Sequence, residues 1–170
     1  MPADQDDFAE FYQASYRRMV ALVAAMTGDR CQAEDIAQEA FARALTRWPQ
    51  VARYELPEAW VRRVAIRLTV DALRRMRRAV RVSARLAAGE RAGPDAGDPL
   101  AATALSVALL RLPLPLRQVL VLYYLADLPV EEIARDCGVS PSTVRNRLAA
   151  GRDRLERELK ERDEEVPHAR

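Results

Sequence analysis

The chain predicts an all-α fold of two small helical modules joined by a flexible linker, the second module containing a helix-turn-helix. Three observations carry that expectation. Apolar residues recur at helical spacing along nearly every long segment. Residues 83–99 hold three of the six glycines, two prolines and few large apolar side chains. Val130 to Leu148 reads as two short amphipathic patterns around a tight corner. The modules expected are 1–82 and 100–162, with 83–99 as linker and 163–170 as a polar tail. Each module is small enough for burial on folding to be marginal, so both are expected to gain stability from a partner.

In the first module, Phe8, Phe11, Tyr12, Met19, Leu22, Val23 and Met26 predict a helix over residues 4–26. Thr27-Gly28-Asp29 is a stop followed by a cap. A second helix, from about Gln32 to Arg47, has Ile36, Ala37, Ala40, Phe41, Ala44 and Leu45 as its inner stripe, with Trp48 next. Glu34, Asp35, Gln38, Glu39 and Arg43 take its outer face. By residue type alone that face is a solvated surface, acids being favourable near a helix N-terminus. Pro49 to Pro57 reads as a loop carrying Arg53 and Tyr54.

A third helix is predicted from Glu58 to Val80. At 100° per residue Val61, Val64, Ala65, Leu68, Thr69, Ala72 and Met76 share one side. Arg63, Arg67, Arg74, Arg77, Arg78 and Arg81 share another. From Trp60 to Val82 there are eight arginines and one acid, Asp71. A stripe of one sign repels itself unless something negative covers it, so it reads as a phosphate-binding face. Six phosphate contacts on duplex DNA predict a salt slope of about −5.

In the second module, Leu105, Leu109 and Leu112 mark a helix ending at Pro113-Leu114-Pro115. Another follows with Val119, Leu120, Leu122, Tyr123 and Leu125 inside. Beyond it, Ile133, Ala134 and Cys137 share one face of a short helix, and Glu131, Glu132, Arg135 and Asp136 lie on the others. Gly138 supplies a residue tolerant of positive φ. Ser140-Pro141 is an N-cap with proline at the first helical position. Val144 and Leu148 point inward; Ser142, Thr143, Arg145, Asn146 and Arg147 remain on the outer sides. Small Ala134 stands where the two helices cross. This is the pattern of a DNA-binding helix-turn-helix, whose second helix enters the major groove.

Whole-chain properties bound the alternatives. The net charge is +2, with 26 arginines and a single lysine, so a nucleic-acid footprint must be local. No apolar run approaches the ~18 residues of a membrane span, and the acidic N-terminus is unlike a signal peptide, which points to a cytoplasmic protein. Cys31, Cys137 and His168 offer no metal-ligand spacing, and no cofactor is expected. No nucleophile–base pair or Gly-rich phosphate loop suggests an enzyme.

Taken together, the segments resemble bacterial RNA polymerase sigma factors of the extracytoplasmic-function (ECF) type, which keep only the second and fourth conserved regions. The resemblance is carried by Thr27-Gly-Asp29, Ala33 to Phe41, Trp60 to Ala65, and Asp71 to Arg75. In the second module it is carried by Leu112-Pro113, Arg117 to Tyr123, and Glu131 to Leu148. It spans about Phe8 to Lys160. It implies that the second helix docks on core RNA polymerase through Asp35, Gln38 and Glu39. It implies that the third helix meets the −10 promoter element, and that the loop from Val51 to Trp60 captures a base flipped from the melted strand. Tyr54 and Trp60 are then the stacking surfaces, and Arg53, Arg63, Arg67, Arg74, Arg77 and Arg78 complete the −10 set. Ser142, Thr143, Arg145, Asn146 and Arg147 would read the −35 element. An anti-sigma factor as inhibitory partner is common in the family. Two departures bear on promoter preference: Arg67-Leu-Thr69 stands where many members have Asn, and Leu122-Tyr-Tyr124 where a basic residue is common. The competing readings are a stand-alone helix-turn-helix regulator acting as a dimer, and a helical adaptor that binds only protein.

Overall fold

The computed structural model describes residues 2–86 and 103–165, and side chains over 6–82 and 103–161. Among the described residues there are eight helices and no strand. They fall into two compact units, Met1–Asp95 and Ala96–Arg170.

The first unit holds α1 (Pro2–Thr27), α2 (Arg30–Thr46), α3 (Trp48–Val51) and α4 (Pro57–Leu86). The break after α1 is built as expected. Gly28 takes φ 75°, and its N–H bonds the Ala24 carbonyl at 2.8 Å. Asp29 then caps α2 by accepting from the Gln32 N–H at 3.0 Å. Ala33, Ala37, Ala40 and Ala44 are wholly buried on α2, with Ile36 and Phe41 beside them. This small-residue ridge lets α2 pack against both α1 and α4. Met19, Leu22, Val23 and Met26 fill the space from α1. An aromatic cluster closes one end. Trp48 lies with its ring centre 5.1 Å from both Phe8 and Phe11, and Tyr12 meets Phe41 edge-on at 5.1 Å.

Four expectations need correction here. The loop expected from Pro49 begins as the one-turn helix α3, which buries Trp48 and Val51. Proline in a first helical turn gives up a hydrogen bond that is missing there anyway, so Pro49 starts a helix rather than excluding one. Leu45, expected inside, is 49% exposed. On α4 the buried positions are Ala59, Val61, Arg62, Ala65, Ile66, Thr69 and Leu73. Val64 and Leu68 are only half-buried, and Met76 is 46% exposed. The inner face is therefore turned toward Arg62, Ile66 and Leu73. Thr69 is tolerated inside because its hydroxyl donates to the Ala65 carbonyl at 2.8 Å. From Arg74 to Val82 every side chain is exposed. The helix runs to Leu86, so the segment expected to be linker is still helical over 83–86. The rest of that segment, 87–99, lies outside the described residues.

The second unit holds α5 (Ala104–Arg111), α6 (Leu114–Tyr124), α7 (Val130–Cys137) and α8 (Pro141–Glu165). Thr103 caps α5 by accepting from Ser106 N–H at 3.1 Å. Ala108 and Leu112 are buried, whereas Leu105 is 49% exposed, so α5 presents a narrower face than its leucines suggest. Pro113 and Pro115 flank the first residue of α6 and open that helix as much as they end α5. Leu114, Val119, Leu120, Val121 and Leu122 are buried, while Leu125 is 56% exposed. A Cβ on buried Gly151 of α8 would lie 3.1 Å from the Leu120 side chain, so glycine permits the close approach of α8 to α6. The tail expected from 163 is helical to Glu165; 166–170 lie outside the described residues.

The corner between α7 and α8 follows the sequence closely. Gly138 sits at φ 65°, ψ 36°, and its N–H bonds the Ala134 carbonyl. The Val139 N–H bonds the same carbonyl at 3.0 Å. Ser140 Oγ accepts from the Thr143 N–H at 3.1 Å. Ile133, Ala134, Val144 and Leu148 are buried at the crossing. Asp136, expected outside, is only 5% exposed, in a unit that also buries Arg117 and Gln118. The Cys137 thiol is pushed up to about 11, first by burial and then by the Asp136 carboxylate, against an opposing pull from Arg147. That makes it a protonated packing residue at neutral pH.

Two outcomes follow. Gly138→Ala should cost the second unit about 1–2 kcal/mol, because open space surrounds the position but the backbone is left-handed. Urea unfolding checks this, and an unchanged midpoint would show that the corner relaxes. At pH 8 roughly one Cys137 in a thousand would be thiolate, the fraction rising toward pH 11. Iodoacetamide on the native protein should therefore label exposed Cys31 well before Cys137, with the difference vanishing in urea. Mass spectrometry reads both sites.

Candidate nucleic-acid interface

In the second unit the outward side of α8 presents Ser142, Arg145 and Asn146 as exposed side chains, with Thr143 and Arg147 half-buried. The cap organises this end of the helix. The hydroxyls of Ser142 and Thr143 lie 2.9 and 2.8 Å from Ser140 Oγ. Arg145 Nη2 donates to Glu131 Oε1 across the corner at 3.0 Å. Both partners are about 60% exposed, so the pair is held weakly and can be exchanged for a base edge or a phosphate. All five expected side chains thus lie within the first two turns of α8, the part of a recognition helix that meets base edges. Further along, Arg152 ties α8 to the end of α6. Its Nε donates to Tyr124 Oη at 2.7 Å, and its guanidinium lies 5.6 Å from the ring centres of both Tyr123 and Tyr124.

In the first unit α4 carries the basic residues along its length. Arg67, Arg74, Arg77, Arg78 and Arg81 are exposed and Arg63 is half-buried. They do not act as one flat stripe. A cavity of about 430 Å³ opens between α4 and the end of α2, lined by Arg43, Thr46, Arg47, Trp60, Arg63, Val64 and Arg67. Four guanidinium groups and one indole converge there, with no carboxylate among the lining residues. The structure therefore brings Trp60, Arg63 and Arg67 together. Arg53 and Tyr54 stay outside this cavity, on the exposed turn between α3 and α4. Arg74, Arg77 and Arg78 lie further along α4, on its exposed second half.

Arg43, Thr46 and Arg47 were not among the residues expected to meet DNA. Periodicity places Arg43 on the outer face of α2 but says nothing of which helix lies alongside. A usable signal was the clustering of bases at the end of α2, where they also complement the helix dipole. Nearer the start of α2, Asp35, Gln38 and Glu39 are all exposed and share one face by their spacing of three and four. Glu39 Oε1 accepts from Arg43 Nε at 2.8 Å, so one ion pair joins this acidic face to the basic cavity. No helix among the described residues is long and apolar enough to cross a membrane, and no group of His, Cys, Asp and Glu among them would hold a metal.

Comparison with known proteins agrees with this division. The family model for sigma-70 region 2 matches residues 11–79, and that for sigma-70 region 4 matches residues 102–155. The chain is 30% identical to the ECF RNA polymerase sigma factor SigW of Bacillus subtilis, over 93% of its own length and 91% of that protein's. It is 28% identical to the RNA polymerase sigma-E factor of Streptomyces coelicolor, over 92% and 88%. Among solved structures, the sigma factor RpoE of Bartonella quintana, in complex with the anti-sigma factor NepR, has the same fold. Its TM-score is 0.70 at 22% identity, over 91% of this chain and 97% of that one. CnrH, in complex with the cytosolic domain of CnrY, aligns with a TM-score of 0.64 at 21% identity, over 92% and 89%. With regions 2 and 4 both matched in order, and a relative aligned over nearly its whole length, the chain belongs to the extracytoplasmic-function sigma factors, which direct promoter-specific transcription by RNA polymerase.

Proposed function

We propose that the two units divide the work of initiation. Residues 1–82 act as the region 2 module, binding core polymerase and the −10 element. Residues 100–162 act as the region 4 module, binding the −35 element as duplex. The observation that carries this division is that Trp60, Arg63 and Arg67 converge on a basic cavity in the unit that does not contain the helix-turn-helix. A regulator that only reads duplex DNA through α8 has no use for a second, concave arginine surface lined in part by Trp60.

In this reading Asp35, Gln38 and Glu39 of α2 dock on polymerase, and exposed Arg74, Arg77 and Arg78 of α4 lie along the phosphates upstream of the melted region. Tyr54 and Arg53, exposed on the turn after α3, approach the same strand. Ser142, Thr143, Arg145, Asn146 and Arg147 enter the major groove at −35, with guanine as the natural partner of an arginine fork and adenine of Asn146. The protein takes no catalytic step; polymerisation belongs to its partner. It acts in the cytoplasm, where polymerase and chromosome are. An anti-sigma protein as inhibitory partner is supported by analogy with the two structural relatives, each captured with a binding protein of its own.

Run-off transcription with core polymerase tests the whole: new start sites that depend on this chain are expected. Two variants test its parts. Asp35→Ala with Gln38→Ala should weaken binding to core polymerase by about tenfold, or ~1.4 kcal/mol, with the fold intact. Equal affinity would remove α2 from the polymerase contact. Arg74→Ala with Arg77→Ala should reduce the salt slope of promoter binding by about 1.8, at about 0.9 per duplex phosphate contact. An unchanged slope would place the phosphates elsewhere.

A further inference from the structure

We propose that Glu131, on the first turn of α7, is a positioning residue for promoter recognition: its carboxylate holds Arg145 ready for a guanine edge in the −35 major groove and turns it away from the DNA phosphates. This rests on the −35 reading of α8 above. It adds a residue from the other helix of the corner, one absent from the set assigned to DNA.

The contact is made by the fold and not by helical periodicity. Arg145 and Glu131 are 14 residues apart on different helices, and Arg145 Nη2 donates to Glu131 Oε1 at 3.0 Å. The crossing that brings them together is packed by Ile133, Ala134, Val144 and Leu148. At the same end of α8 the Ser142 and Thr143 hydroxyls are engaged with Ser140 Oγ. Arg147 is half-buried, on the side where it acts on the Cys137 thiol, whereas Arg145 is exposed. A guanidinium carries several N–H groups, so the bond to Glu131 leaves others to fork onto guanine O6 and N7.

The pair is weak, so exchange for an acceptor on DNA is cheap, and the carboxylate biases which acceptor wins. Phosphates are the most abundant acceptors along a duplex, and an unrestrained arginine binds them whatever the sequence. With Glu131 beside Arg145, an approaching phosphate meets a like charge. A guanine edge is neutral and does not. The carboxylate thus lowers affinity for DNA in general and raises the share of Arg145 binding that depends on the base. An acid in the first turn of α7 also complements the helix dipole, where no side chain caps the helix. That role explains an acid in this turn, but not its pairing with an arginine of the recognition helix.

The test uses holoenzyme, full-length chain plus core polymerase, with a pool of duplex promoters randomised over the −35 element. Sequencing bound against free DNA gives the base preference at each position. Wild type should select guanine at one position, and Arg145→Ala should reduce that preference roughly tenfold. Glu131→Gln is an exposed, nearly isosteric change. It should reduce the preference roughly threefold at that position alone, while affinity for duplex lacking the element rises. In the Arg145→Ala background, Glu131→Gln should change the preference no further. A purely structural role would weaken binding to every sequence and leave the preferences as they are. If Glu131→Gln keeps the guanine preference intact, or if its effect persists without Arg145, the inference is wrong and the −35 reading stands. If Arg145→Ala leaves the preference at every position unchanged, the assignment of Arg145 to a base fails and this inference with it.

Discussion

The first unit depends on the close approach of α2 to its two neighbours. Ala33, Ala37, Ala40 and Ala44 leave no accessible surface, and their small side chains set the distance at which α1 and α4 can lie. That distance also shapes the outer surface. Because α2 is pinned on its inner side, the backbone that carries its outer carboxylates is fixed, and its last turn is held against Trp60, Arg63 and Arg67. A larger residue on the ridge would push α4 away and open the cavity. In the second unit, Ala134 at the α7–α8 crossing and Gly151 against Leu120 do the corresponding work.

The ion pairs on the outer surfaces are held lightly by comparison. Arg145 is paired with Glu131, Arg43 with Glu39 and Arg18 with Glu58, all through exposed contacts of 2.8–3.0 Å. Exposed pairs of this kind contribute a few tenths of a kcal/mol up to about 1, so a phosphate or a base edge can replace the carboxylate at little cost. Each pair restrains a long arginine without fixing it. The Glu39–Arg43 pair has a further consequence. It ties the acidic side of α2 to a lining residue of the basic cavity.

The buried polar groups behave differently. Arg62, Arg117, Gln118 and Asp136 are all under a tenth exposed. Charges at that depth need partners, and removing one partner is far more damaging than breaking a surface pair. The same burial, with Asp136 adjacent, keeps the Cys137 thiol protonated, so the corner of the helix-turn-helix carries no reactive sulfur at neutral pH.

Local rules made much of the chain legible in advance. Gly28, Asp29, Gly138 and Ser140-Pro141 act through bonds to residues one to five positions away, so their roles could be read directly and the structure realises them. The same rules mis-assigned positions where a neighbouring helix decides. Leu45, Met76, Leu105 and Leu125 have the right residue type and spacing for a core, yet about half of each stays exposed, and Asp136 is drawn inside. Pro49 and Pro113 were ambiguous because proline both ends and begins helices. The cavity was not legible at all: Arg43, Thr46 and Arg47 are 13 or more residues from Trp60, and only the packing of α2 on α4 brings them together. By itself the sequence determined most of the helices and the helix-turn-helix corner, because these follow from short-range hydrogen bonding and periodicity, while the family showed only in the resemblance of its motifs. Tertiary structure alone decided which arginines share a site, because residues distant in sequence converge only when buried faces lock the helices at one distance and rotation.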